Sequence, residues 1–214
     1  MFILYYLFFN HQIFFNMKER KVTIAIVYHS AYGHTEKLAH AIAEGIQSID
    51  AAESLLLNVS EACERWDDLE QSDAIIFGSP TYMGGVSAQF KAFADATSPN
   101  VLNKNNGWRN KIAAGFTNSC SRSGDKLAVL QYLSIFAAQH SMHWVNLGLP
   151  VGHNASFTSE DSLNRHGFFL GLGAQSDYDS PPDIAPPSCD IQTAHHLGQR
   201  VATVTQHYLY GQNN

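Results

Sequence analysis

The sequence predicts a single α/β domain whose parallel β-sheet is covered by helices on both faces, and three observations predict it. From Lys21 onward, short β-branched apolar runs alternate with helical patterns, the signature of repeated βαβ units. Those runs are apolar throughout instead of alternating, as expected of strands buried on both faces. At 214 residues, the chain suits one domain better than two.

Val22–Tyr28 (VTIAIVY) reads as a central buried strand. After a short turn, Thr35–Ile49 places Leu38, Ala39, Ile42, Ala43 and Ile46 at helical spacing. Ser54–Val59 reads as the second strand, and Trp66–Leu69 belongs to a short polar helix. Asp73–Gly78 (DAIIFG) is a third buried strand, followed by a helix over Ser87–Ala96 and a fourth strand over Ile112–Thr117. Asp125–Gln139 is an amphipathic helix, Met142–Leu147 the fifth strand and Asp190–Leu209 the last helix. Between these last two lies Pro150–Pro187, rich in Gly, Ser, Asn and Pro, which reads as a long loop that is functional or disordered. No internal repeat is evident.

Composition narrows the class. The formal charge of -6, with no run of Lys or Arg, excludes the electrostatic footprint of a nucleic-acid binder. Cys63, Cys120 and Cys189 are far apart and form no C-x-x-C pair, which argues against a disulfide framework or a zinc site. Their pattern suits a reducing compartment, so a cytoplasmic location is expected. Residues 1–16 (MFILYYLFFNHQIFFN) are apolar and aromatic but shorter than the roughly 20 residues that span a bilayer. No basic segment precedes them and no small-residue cleavage site follows. They are expected to lie outside the fold, as an extension from an upstream start or a weak membrane-associating segment without stable insertion. The domain then covers residues 17–214.

Open α/β sheets bind ligands outside the carboxyl ends of their strands, so the loops after strands one, three and four carry the chemistry. His29-Ser30-Ala31-Tyr32-Gly33-His34-Thr35 leads straight into a helix. Its hydroxyls bracket a turn-forming glycine, and the helix N-terminus offers free N–H groups to an anion. That is a phosphate cradle, though neither a Walker A loop nor a G-x-G-x-x-G fingerprint; taken alone it also fits an ordinary βα turn. Gly78-Ser79-Pro80-Thr81-Tyr82-Met83-Gly84-Gly85 follows strand three, with Pro80 stiffening the strand exit and Tyr82 and Met83 offering apolar contact to a ring. Thr117-Asn118-Ser119-Cys120-Ser121-Arg122-Ser123-Gly124 is a dense set of small polar residues suited to the edge of a polar heterocycle, with Cys120 read as a small loop residue without a redox role.

Together these motifs resemble the flavodoxin superfamily, and more narrowly its NAD(P)H:quinone oxidoreductase (Trp repressor-binding protein type) and NADPH-dependent FMN reductase branch. The resemblance runs from about Lys21 to the last helix. It implies a flavodoxin-like three-layer sandwich with strand order 2-1-3-4-5. It implies non-covalent FMN, with NAD(P)H as co-substrate and a quinone or similar acceptor. By the same resemblance, Ser30, Ala31, Tyr32, Gly33, His34 and Thr35 hold the FMN phosphate. Pro80, Thr81, Tyr82, Met83 and Gly84 line the isoalloxazine ring, and Asn118, Ser119, Cys120, Ser121, Arg122 and Ser123 meet its polar edge. Tyr32 matches a position that meets the nicotinamide nucleotide. His140 matches a histidine near flavin and acceptor, a candidate proton donor or orienting group, against the alternative of a helix-terminal histidine with no chemical role. Arg165 and His166 either meet a nicotinamide phosphate or sit on the surface. A homodimer or homotetramer is implied as well, and no metal site.

The sequence departs from the branch in three places. It is short after the second strand, its strand-four loop is less glycine-rich, and Trp108 only approximates an expected aromatic position. The competing reading is a flavodoxin-type electron carrier without nicotinamide activity. A decayed flavin site is opposed by the intact Ser30, Gly33 and Thr35.

Overall fold

The computed structural model describes residues 21–212. Its sheet is built from β1 (Val22–Tyr28), β2 (Ala52–Asn58), β3 (Ala74–Tyr82) and β5 (Ile112–Ser119), with short additions at the edges. The order is β2-β1-β3-β5, closed at the far edge by β6 (His143–Trp144) and β7 (Leu172–Gln175), all parallel. Counting that last edge as one position, this is the expected 2-1-3-4-5 order.

Period-two side chains sort the two faces of the sheet. Ile24, Ile26, Ile76, Ala114 and Phe116 turn toward α1 (His34–Gln47) and α6 (Ser188–Gln212). Ala25, Val27, Ile75, Phe77 and Ala113 turn the other way. They meet α2 (Val59–Ala62), α4 (Ala88–Thr97) and α5 (Lys126–Gln139), which contribute Ala62, Phe90, Phe93, Leu133 and Phe136. A fully buried side chain of this size contributes about 1.5–3 kcal/mol, so the two cores hold the layers together. A short helix, α3 (Trp66–Gln71), covers the flank with Leu69 and Trp66, the latter stacked on Phe93.

Two sequence expectations are corrected here. The fifth strand does not run from Met142 to Leu147: only His143–Trp144 pair with Ile112 and Ala113. After Val145, whose N–H still reaches the Ala113 carbonyl (2.7 Å), the chain leaves the sheet, and β7, from within the segment read as a loop, takes over the edge from Phe116 to Ser119. The edge position is therefore shared by two short strands, because β5 is longer than the run that first reaches it. Strand three also extends further than its apolar run, through Pro80 to Tyr82. The His29 N–H donates to the Gly78 carbonyl (3.0 Å), so Pro80, two residues on, points its missing N–H past the end of β1, where no ladder bond is lost.

Candidate functional site

The carboxyl ends of β1, β3 and β5 bring the three polar loops side by side. Tyr28 pairs with Gly78, and Pro80 with Asn118. Thr81 and Thr117 share a hydroxyl hydrogen bond of 2.8 Å. Tyr82 lies where all three loops are felt: burial raises its phenol pKa, and Tyr32 and Cys120 push it further.

In the first loop, the Ser30 hydroxyl accepts from the Gly33 N–H at 3.0 Å, closing the turn. Gly33 has φ +86°, and a Cβ there would stand 2.5 Å from Pro182 Cγ, so both the left-handed backbone and the packing require glycine. No side chain caps α1. Its first-turn N–H groups thus have no side-chain cap at the positive end of the helix dipole, a setting that suits an anion. The buried Nδ1 of His29, one residue before the cradle, has no partner within the chain. The segment 180–183 braces this loop from outside: His34 Nε2 donates to the Ser180 carbonyl (2.8 Å) and Lys37 Nζ to that of Asp183 (3.1 Å).

The loop after strand three is a two-residue hairpin. Tyr82 pairs antiparallel with Gly85 of β4 (Gly85–Val86), and both turn residues, Met83 and Gly84, have positive φ (48° and 80°). Its base is locked by Ser79, whose hydroxyl accepts from the Ser87 N–H (2.9 Å) while Ser87 caps α4. Gly84 and Gly85 have open space where a Cβ would stand, which leaves room for a flat ligand to approach the backbone. An uncapped helix N-terminus beside an open, aromatic-rimmed hairpin fits a phosphorylated planar molecule such as FMN.

The structure does not bring His140 to this edge. It ends α5, whose 14 residues carry the chain about 20 Å from the strand-four loop to the opposite side of the sheet. There its ring is buried against Trp108 and Phe136, with centroids 4.8 Å away in each case. Burial lowers its pKa, and Nδ1 donates to the Phe136 carbonyl at 3.0 Å. The proton-donor role expected of His140 is thus withdrawn, and Trp108, wholly buried in the same core, is no ligand-facing aromatic.

Residues 22–155 match the family model for NADPH-dependent FMN reductase. The chain belongs to that family. Among its relatives, Flavodoxin FldP from Pseudomonas aeruginosa is 42% identical over 85% of this chain and 95% of that protein. Quinone-oxidoreductase QR2 from Triphysaria versicolor is 30% identical over 86% and 95% respectively. The crystal structure of a WrbA-like flavodoxin from Agrobacterium tumefaciens superposes with a TM-score of 0.68 at 37% identity, covering 88% of this chain and 99% of that one. This is a flavodoxin-like, FMN-binding oxidoreductase family, and the fold described above is the flavodoxin-like one.

For this FMN reductase family member, the structure also adds residues that the sequence did not reveal. Gln175, at the end of β7, donates through Nε2 to the Cys120 carbonyl (3.0 Å). Ser176 donates its hydroxyl to Asn118 Oδ1 (3.1 Å) and its N–H to the Ser119 carbonyl (3.2 Å). Arg165 is largely buried and forked onto Asp190 (2.9 and 3.1 Å), and His166 sits close by. Neither is therefore available to a nicotinamide phosphate: they tie the long segment to α6. Arg122 forks onto Glu160 (2.9 and 3.0 Å), so its guanidinium faces that segment. Lys126, fully buried beneath the strand-four loop, is the cation no local pattern announced. No helix among the described residues is long and apolar enough to cross a membrane.

Proposed function

We propose that this protein passes electrons from NAD(P)H, through FMN held non-covalently at the carboxyl edge of the sheet, to a quinone or similar acceptor. One observation carries the reading: the side chains at the meeting of the loops form an open rim. Tyr32 is 74% exposed, Met83 fully exposed and Tyr82 38% exposed. Such a rim leaves an outward ring face within reach of a second flat molecule, first the nicotinamide and then the quinone, with Tyr32 meeting the nucleotide.

In this reading, the N–H groups of the first loop and the hydroxyls of Ser30 and Thr35 bind the phosphate, with Ala31, Tyr32, Gly33 and His34 completing the cradle. Pro80, Thr81, Tyr82, Met83 and Gly84 orient the ring, and Asn118–Ser123 present donors to its polar edge. FMN, when bound, supplies the reversible two-electron exchange. With His140 at the far side of the sheet, no side chain is assigned to acid–base work.

The 42% identity to Flavodoxin FldP favours a second reading, an electron carrier without nicotinamide activity. An anaerobic absorbance titration of the FMN-loaded protein with NADPH, then NADH, then a benzoquinone separates the two. Bleaching of the flavin band by a nucleotide and its recovery with quinone is the expected result. A bound flavin that neither nucleotide reduces establishes the carrier, and a protein that binds no flavin overturns both readings.

A further inference from the structure

Lys126 opens α5, yet its side chain is wholly buried. Its Nζ donates to the carbonyls of two consecutive residues, Ser121 (2.5 Å) and Arg122 (2.9 Å). The charges that act on it from the surrounding elements are Asp190 and Arg165, with the Cys120 thiol in the loop above. Asp190 is already committed to Arg165 and to the Gln175 N–H (2.9 Å). The buried Lys126 and the largely buried Arg165 thus share one carboxylate, and one positive charge is left over. The neighbouring Arg122 and Glu160 are exposed and cancel each other. An unbalanced buried charge is costly, so its retention calls for something that uses it.

The backbone shows what that is. In a trans peptide the C=O and the following N–H point in opposite directions. Turning the carbonyls of Ser121 and Arg122 inward onto the ammonium therefore turns the N–H groups of Arg122 and Ser123 outward. Both residues are exposed, and among the described residues neither N–H finds an acceptor within the chain. The result is a pair of adjacent donors backed by a cation, an arrangement that favours negative charge on whatever it faces.

We propose that Lys126 is a positioning residue that shapes the strand-four loop into this donor pair and lends its charge to the polar edge of the bound flavin, so that the chain holds the reduced ring more tightly than the oxidised one. This rests on the FMN reading above. Reduction adds negative charge at that edge, and charge placed near it is a recognised means of tuning a flavin. Burial also pushes the Lys126 ammonium down to about 8, so the charge is lost in mildly alkaline solution.

The test compares the full-length protein with its K126M and K126R variants, using FMN as the probe. Dissociation constants for oxidised FMN come from fluorescence quenching, and midpoint potentials at pH 7 from anaerobic equilibration with a reference dye. K126M is expected to loosen reduced FMN about tenfold more than oxidised FMN, a fall of about 30 mV in the two-electron potential, and K126R to restore most of it. A folded K126M with wild-type affinity and potential overturns the proposal while leaving the FMN reading intact, whereas a wild-type protein that binds no FMN overturns both. Should K126M not fold, the wild-type protein alone decides. Its affinity for reduced riboflavin, measured anaerobically, is expected to fall relative to that for oxidised riboflavin between pH 7 and pH 9, and a flat ratio sinks the assignment.

Discussion

The imidazole of His140 spends its Nδ1 proton on the Phe136 carbonyl, and its Nε2 is buried without a partner. Protonating that nitrogen would place an unpaired charge in an aromatic core, and burial accordingly lowers the pKa. The sign follows. The folded protein keeps His140 neutral while the unfolded chain takes up a proton near pH 6.5, so stability is lost as pH falls through that range. Replacing His140 with Phe should therefore flatten the loss of stability between pH 7 and pH 5, read as urea midpoints at each pH. The same variant should leave the rate of flavin reduction unchanged; a large fall in that rate would return His140 to the site.

Among the elements, the short strand β7 matters most to the loops. It completes the edge of β5 and carries Gln175, which holds the Cys120 carbonyl. Its own anchor is Asp190, which accepts from the Gln175 N–H and pairs with Arg165. Burial pushes the Asp190 carboxyl up, but His166, Arg165 and the Gln175 N–H together hold it below the usual carboxylate range. Its contribution is thus present above the unfolded-state pKa and fades as pH drops through the folded value. Asp190→Asn leaves the largely buried Arg165 with the Gln175 amide oxygen but without its counter-charge, at a cost of up to about 3–5 kcal/mol. The expected outcome is a fall in Tm of roughly 10 °C together with weaker FMN binding. A variant that melts as the wild type does would show that the pair contributes nothing.

For the molecule as a whole, the cradle and the hairpin sit on separate βα units, and a ligand spanning both adds its binding energy to the fold. FMN at about 100 times its Kd should stabilise by about 2.7 kcal/mol, which for a domain of this size raises Tm by about 5–10 °C. Riboflavin at equal concentration should raise it less, since it cannot use the α1 N-terminus. Equal shifts would mean that the first loop does not bind phosphate.

Residues close together in the chain settled much of this protein. Unbroken apolar runs such as VTIAIVY and DAIIFG announced buried parallel strands, and the motifs around Gly33 and Gly84 announced tight turns with left-handed glycines. These signals are local, because strand pairing, helical periodicity and turn conformation depend on side chains a few positions apart. What lay beyond them depended on contacts across long separations. That β7 takes over from β6, that Arg165 belongs to Asp190, that Lys126 turns inward and that His140 faces the wrong end of the sheet are all products of packing. A helix of known length and direction separates two residues that a resemblance sets side by side, and only the assembled layers show which end of that helix lies at the polar loops.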